Sequence, residues 1–140
     1  MSDSINLHYI VPGDDFTRAG EASSEMKKTL KKLAVPPQVI RKIAISVYEG
    51  EINMVIHANG GTIDVCVSPN EIVAVLTDTG PGIPNVEQAM QEGFSTAPDN
   101  VRSLGFGAGM GLPNMKKYTD EMTIDSTVGV GTTITMKVLI

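Results

Sequence analysis

Residues 38–58 have the length and the hydrophobic pattern of a long helix that must be largely buried. Pro36 and Pro37 stand at its start, where proline is tolerated, and the glycines of NGG end it. At about 100° per residue, its apolar side chains fall into two adjoining sectors. The first holds Ile40, Ile43, Ala44, Val47, Met54, Val55 and Ala58, and the second holds Ile45, Tyr48, Ile52 and Ile56.

A narrow polar band lies between these sectors and carries Lys42, Ser46, Glu49, Asn53 and His57. The last three are four residues apart and are therefore neighbours on the helix surface. A narrow polar band flanked by apolar residues indicates the floor of a cleft, where polar groups need specific partners. The alternative is a satisfied core, with Asn53 bonded to backbone, His57 capping the helix end and Glu49 paired with a lysine.

Two residues beside the band are unusual for a buried helix. Gly50 costs about 1 kcal/mol relative to alanine in a helix, which indicates that another group approaches closely there. Glu51 falls within the first apolar sector, and the sequence pattern gives it no partner.

The other segments predict an α+β fold in a single domain, residues 1–140. A first strand, INLHYIV, is followed by a charged amphipathic helix over residues 16–34. Two strands flank a turn at Ser68–Pro69–Asn70, and the second of them, IVAVL, is apolar on both faces and is therefore expected to be central. A short helix over 112–121 and a hairpin over 122–140 complete the chain. Together these elements predict a two-layer sandwich, with helices on one face of a mixed, mostly antiparallel sheet.

The composition excludes several classes of protein. The net charge is −5, from 11 basic and 16 acidic residues, which argues against nucleic acid as the main partner. Cys66 is the only cysteine, so neither an intrachain disulfide nor a cysteine-built zinc site can form. No apolar run approaches the roughly 18 residues of a membrane span, and the N-terminus lacks the pattern of a signal peptide. We therefore expect a cytoplasmic protein without a membrane partner.

The stretch LTDTGPGIP places Asp78 at the end of a hydrophobic strand, followed by Gly80 and Gly82. A carboxylate in this position can accept a hydrogen bond from an amino group, and the glycines let a flat ligand approach the backbone. The same pattern also describes an ordinary strand-to-turn connection.

The stretch LGFGAGMGLPNM has glycines at positions 105, 107, 109 and 111, directly before a helix. Alternating glycines that lead into a helix N-terminus present backbone N–H groups to an anion. The lysine of a Walker P-loop is absent, and no strand directly precedes the glycines as a dinucleotide fold requires. A flexible hinge is the alternative interpretation.

The order of these elements, followed by Gly131–Thr132–Thr133 in the last strand, resembles the GHKL ATPases, the family of gyrase, MutL and histidine-kinase catalytic domains. Within that family the sequence is most similar to the bacterial anti-sigma-factor serine kinases. The resemblance covers nearly the whole chain and implies a Bergerat-type ATP-binding fold, with ATP and Mg²⁺ as cofactors and an ATP lid at about residues 93–111.

The resemblance also implies roles for individual residues. Glu49 would be the general base and Asn53 the Mg²⁺ ligand, whereas His57 receives no role. Asp78 would bind the adenine amino group, and Thr132 would support the adenine through its hydroxyl. The remaining ATP-binding residues would be Gly80 and Gly82 beside the ring, and Arg102, Gly107, Gly109 and Gly111 at the phosphates. Arg102 follows Pro98 by four residues as in the family's lid, but a lysine frequent just before that proline is Ala97 here.

The function implied is phosphorylation of a serine on a STAS-domain regulator, an anti-sigma antagonist or scaffold, in a sigma-factor partner-switching pathway. Glycines after the long helix and in the lid are more similar to the switch-kinase branch than to the sigma-binding branch. One alternative is a nucleotide-gated anti-sigma factor that acts by sequestering its partner. Another is a detached histidine-kinase catalytic domain, and a pure ATPase such as a gyrase fragment fits least well. Binding of a sigma factor and formation of a homodimer are left open.

Overall fold

The structure is a computed structural model of the 140-residue chain, and it describes residues 4–13, 17–58, 60–83, 86, 90 and 111–140. Five strands form one sheet: β1 (Ile5–Pro12), β2 (Gly60–Val67), β3 (Glu71–Asp78), β4 (Glu121–Thr127) and β5 (Gly131–Leu139). Their order across the sheet is β1-β2-β3-β5-β4, and all four pairings are antiparallel. The strand IVAVL, which was predicted to be central, is part of β3 and lies in the middle of the sheet, so this prediction is confirmed. The sheet was predicted to be mixed and mostly antiparallel. Among these five strands no parallel pairing is present.

Three helices of the described chain pack against this sheet: α1 (Glu21–Lys32), α2 (Pro37–His57) and α3 (Gly111–Lys117). Side chains alternate along the strands, so every second residue of β2, β3 and β5 points into the core. These residues are Ile63, Val65, Val67, Ile72, Ala74, Leu76, Ile134, Met136 and Val138. They form one cluster with apolar residues of the helices, which confirms the two-layer α+β sandwich. No helix in the described ranges combines the length and the apolar character needed to cross a bilayer.

The connection between α1 and α2 is a compact turn. Ala34 has a φ of 60°, the left-handed conformation that commonly follows the last turn of a helix. The N–H of Ala34 donates to the carbonyl of Lys31, and the N–H of Val35 donates to the carbonyl of Leu30. These two bonds satisfy carbonyls that the end of α1 leaves free, and Pro36 and Pro37 then start α2.

Gly50 is a position at which α2 packs tightly against the sheet. A Cβ atom built there would lie 2.2 Å from Cδ2 of Leu76 on β3 and 3.2 Å from Cε of Met115 on α3. The close approach that the sequence predicted at Gly50 is therefore made by the core of the protein itself.

Glu51 holds the N-terminus of α1 against α2. Its side chain is fully buried, with 1% of its surface exposed. One carboxylate oxygen accepts the backbone N–H groups of Gly20 at 2.9 Å and Ala22 at 3.1 Å, and the other accepts that of Ser23 at 3.0 Å. The residue that caps α1 is Gly20, which has no side chain to satisfy these donors. A carboxylate from another helix takes that role, and its negative charge suits the positive end of the α1 dipole.

We predict that Glu51→Gln lowers the free energy of unfolding by about 2–3 kcal/mol, because an amide cannot accept all three N–H groups as a charged carboxylate does. Urea unfolding followed by circular dichroism measures the change. Glu25→Gln is the matched control: it makes the same substitution on an exposed face of α1, where the carboxylate of Glu25 pairs with Lys28 at 3.5 Å. We expect the control to change stability by less than about 0.5 kcal/mol. Equal stabilities for the two variants would contradict the assigned role of Glu51.

Candidate functional site

Asp78 lies at the end of β3, half-buried, with one of its carboxylate oxygens fixed by the protein. The backbone N–H groups of Gly80 and Thr132 donate to Oδ1 at 2.9 Å and 3.2 Å. No group in the described part of the chain donates to Oδ2. The carboxylate is therefore held in one orientation while its second oxygen remains able to accept a hydrogen bond from a ligand.

Thr132 faces Asp78 across the sheet, since the two residues are register partners on β5 and β3. Its side chain is buried, and its hydroxyl lies 2.8 Å from the hydroxyl of Ser126 on β4. Ser126 also accepts the backbone N–H of Ile83 at 2.7 Å. Together Thr132 and Ser126 connect the end of β3, the segment after it and the β4–β5 hairpin.

Gly80 and Gly82 allow the segment after Asp78 to pack against other parts of the chain. A Cβ at position 80 would lie 2.7 Å from the Cα of Ala58, directly after α2. At position 82, where φ is +81°, a Cβ would lie 2.5 Å from the carbonyl oxygen of Thr127. The motif predicts that these glycines let a ligand approach the backbone, and the structure adds a direct reason for each in the packing of the chain.

Glu49 lies on α2 opposite α3, and its half-buried carboxylate bonds to the side chain of Asn114. Burial raises the pKa of Glu49, and the bond from Asn114, which favours the charged form, opposes that shift. The alternative of a lysine partner for Glu49 is not seen among the described residues.

The rest of the polar band divides into different environments. Ser46 is fully buried and bonds to the carbonyl of Lys42 at 2.8 Å, so it is satisfied within its own helix. Asn53 is half-buried, one turn after Glu49. His57 is an exposed residue, although atoms around its ring desolvate it enough to lower its pKa. The band is therefore neither a uniform solvent face nor a fully satisfied core.

Several predicted residues cannot be placed. Arg102, Gly107 and Gly109, together with Ala97 and Pro98, lie outside the described residues, as does the predicted lid of residues 93–111 apart from Gly111. Gly111 is the first residue of α3, so a helix does follow the alternating glycines as predicted.

Asn114 and Ser126 are the site residues that the sequence reasoning missed. Asn114 stands in the first turn of the helix after the glycines, next to residues already singled out. Ser126 could have been found from the hairpin register, because a turn at residues 128–130 pairs position 126 with Thr132.

The arrangement suits an elongated ligand lying beside the C-terminal half of α2. Because Gly80 contacts Ala58, Asp78 sits near the end of the helix. Asn53 and Glu49 lie about 7 Å and about 13 Å further back along its axis, at 1.5 Å per residue. Asp78 offers an acceptor at one end, and Glu49 and Asn53 offer a carboxylate and an amide at the other.

The raised pKa of Glu49 predicts a pH-dependent effect on stability. Folding favours the protonated form of this carboxyl, so the free energy of unfolding falls as pH rises from the ordinary value of 4.5 through the higher pKa of the folded state. The variant Glu49→Gln has no ionisable group at this position, so its free energy of unfolding does not fall in this way. We expect the variant to be more stable than the parent at about pH 7 and to lose that advantage at about pH 4. Urea unfolding at both pH values measures the difference, and a variant that is less stable at neutral pH would contradict it.

Comparison with known proteins gives the family. Residues 42–140 match the family described as "Histidine kinase-, DNA gyrase B-, and HSP90-like ATPase". Anti-sigma F factor of Clostridium acetobutylicum is 32% identical over 98% of this chain and 94% of its own length. Anti-sigma F factor of Priestia megaterium is 30% identical over 98% of this chain and 92% of its own length.

Two solved structures share the fold. One contains the RsbU and RsbW domains of Rv1364c from Mycobacterium tuberculosis, with a TM-score of 0.65 and 17% identity over 96% of this chain and 32% of that chain. The other is the SiaB–SiaC complex from Pseudomonas aeruginosa, with a TM-score of 0.57 and 11% identity over 96% of this chain and 89% of that chain. The resemblance inferred from the motifs is therefore confirmed: the chain belongs to the histidine kinase-, DNA gyrase B- and HSP90-like ATPase family.

Proposed function

We propose that this protein is an ATP- and Mg²⁺-dependent serine protein kinase that phosphorylates a STAS-domain regulator in a bacterial sigma-factor partner-switching pathway, and that it acts in the cytoplasm. The observation that carries the proposal is the half-buried carboxylate of Glu49, in a chain of this ATPase family. Glu49 lies one turn before Asn53 on α2, and its carboxylate bonds to the side chain of Asn114 on α3. The relatives named Anti-sigma F factor and the fold shared with RsbW and SiaB support a role in partner switching.

Asp78 forms the adenine end of the proposed site. Its Oδ2 accepts the adenine amino group, while the two backbone N–H groups on Oδ1 keep the carboxylate in position. Thr132 supports the same end through its hydroxyl, and Gly80 and Gly82 bring the backbone alongside the ring. The free acceptor at Asp78 fits a ligand that presents an N–H group.

The phosphate end lies towards the middle of α2. Asn53 would hold the Mg²⁺ that accompanies the phosphates, because an amide oxygen suits a hard ion that keeps most of its waters. Gly107, Gly109 and Gly111 would hold the phosphates and Arg102 would bind the terminal one, within the proposed lid at residues 93–111. This part of the proposal rests on the family motifs.

Glu49 is the proposed general base. ATP, when bound, would supply the phosphoryl group and leave as ADP, and Mg²⁺ would neutralise charge on the phosphates. Glu49 takes the proton from the substrate's serine hydroxyl, and its raised pKa makes it a better proton acceptor than an exposed glutamate. Asn114 orients the carboxylate through the bond between their side chains.

A second candidate function is sequestration, in which the nucleotide-bound protein acts by holding its partner. The name Anti-sigma F factor, shared by several relatives, favours keeping this candidate. The two functions differ in their need for Glu49, because holding a partner requires no general base.

We predict that Asp78→Asn weakens ATP binding by about 100-fold or more, since the substitution can place an N–H₂ group against the adenine amino group. Isothermal titration with ATP and ADP, with and without Mg²⁺, measures the affinity. Asp125→Asn on β4 is the matched control, since Asp125 is exposed and lies on the opposite face of the sheet from Thr132. Unchanged affinity in Asp78→Asn would overturn the adenine assignment.

We predict that the protein forms phosphoserine on a STAS-domain protein of the same organism when incubated with Mg²⁺ and ATP. Glu49→Ala should lower the rate by roughly 10²–10⁴-fold while nucleotide binding is retained. Radiolabel transfer and mass spectrometry measure the product. If no STAS-domain partner is phosphorylated, the kinase assignment fails. If Glu49→Ala regulates its partner as the parent does, sequestration is the function.

A further inference from the structure

The positive charge of this acidic protein is concentrated in one short stretch. Residues 26–48 contain six of the 11 basic residues of the chain and none of its 16 acidic residues. This stretch forms the second half of α1, the turn after it and the first half of α2. The surface built from these segments is therefore positive, although the whole chain carries a charge of −5.

Three of these cations line a groove between α1 and α2. The groove has a volume of about 470 Å³, and its basic residues are Lys27 and Lys31 from α1 and Arg41 from α2. All three are exposed, and none forms an ion pair with an acidic residue in the described ranges. Among the residues that the structure describes, no acidic side chain lines the groove. As far as the described part of the chain is concerned, each cation is thus available to a ligand.

The floor of the groove is apolar. Val35 and Ile40 are buried beneath it, and Ala44 and Ile45 are half-buried on the next turn of α2. Lys27 and Lys31 are four residues apart and so project side by side from one face of α1. An occupant that matches this pattern has an apolar face bounded by carboxylates at helical spacing.

The groove is separate from the proposed nucleotide site. From Arg41 to Asn53 the axis of α2 advances about 18 Å. At about 100° per residue, Ala44 and Glu49 also point about 140° apart around the helix. The groove therefore requires an occupant other than the nucleotide.

We propose that this groove binds an amphipathic helical segment of a protein partner that carries acidic side chains beside its apolar face. A concave groove between two helices accepts another helix through apolar anchors, and the cations fix its register. A membrane surface fits less well, because the large exposed apolar side chains lie elsewhere. Among the described residues these are Ile5, Ile10, Tyr48, Val128, Val130, Leu139 and Ile140, none of which lines the groove.

The test uses the full chain and a labelled synthetic peptide of about 18 residues, helical by design, with leucines on one face and flanking glutamates. Fluorescence anisotropy at about 50 mM salt should show saturable binding that weakens as salt increases. A peptide with lysines in place of the glutamates should not bind. Failure of the acidic peptide to bind, or equal binding of both peptides, would overturn the proposal.

Two charge reversals locate the binding surface. Lys27→Glu combined with Lys31→Glu should weaken binding by about tenfold or more, because like charges then face the peptide. Lys28→Glu combined with Lys32→Glu changes the same residue type at the same spacing on the same helix, but neither residue lines the groove. We expect the second pair to change affinity by only about twofold. Equal losses of peptide affinity in the two double variants would show a general electrostatic attraction to the positive surface. That result would overturn the proposal that the peptide binds in the groove.

Two further measurements test whether the peptide contacts the apolar floor of the groove and whether the surface binds lipid instead. Ala44→Phe fills the floor of the groove without changing the charge, so it should also weaken binding of the peptide by about tenfold. An Ala44→Phe variant that is folded by circular dichroism and binds normally would exclude the groove. Vesicles of phosphatidylglycerol provide the test for lipid binding. If they bind the protein and displace the peptide, and if the double variant at Lys27 and Lys31 loses vesicle binding to the same extent as peptide binding, the ligand is a lipid surface instead. ATP binding should be the same in all of these variants, whether or not the kinase assignment holds.

Discussion

The three hydrogen bonds to the carboxylate of Glu51 fix how the first two helices sit against each other. They join the backbone at Gly20, Ala22 and Ser23 to the middle of α2, and they are formed where water is excluded. A buried N–H group without a partner costs about 1–3 kcal/mol, so α1 cannot move away from Glu51 without a large loss. The groove between the helices, with Lys27 and Lys31 opposite Arg41, depends on this arrangement.

Glu49 and Glu51 show how one helix carries two carboxylates with different consequences. Two residues along a helix correspond to about 200° of rotation, so the side chains point to nearly opposite sides of α2. Glu51 faces α1 and is fully compensated by three backbone donors. Glu49 faces α3, where its bond to Asn114 only partly offsets the cost of burial and its pKa is raised. The first carboxylate stabilises the fold, whereas the second lowers stability at neutral pH and is available for proton transfer.

Much of the fold could be predicted from the sequence because its signals are local. The alternation of β2 and β5, the glycine turn at Gly129 and the proline start of α2 each depend on a few neighbouring residues. The partner of Glu51 could not be predicted in this way. Its donors are backbone N–H groups 28 to 31 residues earlier in the chain, and no side chain in that segment marks them.

The candidate site was predictable to the extent that its residues recur in a fixed order. Asp78 and Thr132 could be named from that order, but their register pairing depends on how β3 and β5 align in the sheet. The ligand role of Gly80 and Gly82 stays a prediction, and the structure adds a reason that the sequence could not show, because a Cβ atom at either position would meet Ala58 or Thr127. Glycine marks a close approach without indicating what approaches, and only the packing of distant segments decides between backbone and ligand.

Net charge describes the whole chain but not each part of its surface. A value of −5 argues against a polyanion as the main partner, since a duplex would meet many acidic groups around any basic patch. It gives no information on a short acidic segment, because charges more than about 8–10 Å apart are largely screened at physiological salt. At that range a ligand in the groove meets Lys27, Lys31 and Arg41 rather than the charge of the whole protein. The same chain can therefore repel nucleic acid and attract an acidic helix, and the spacing of its cations decides which partner fits.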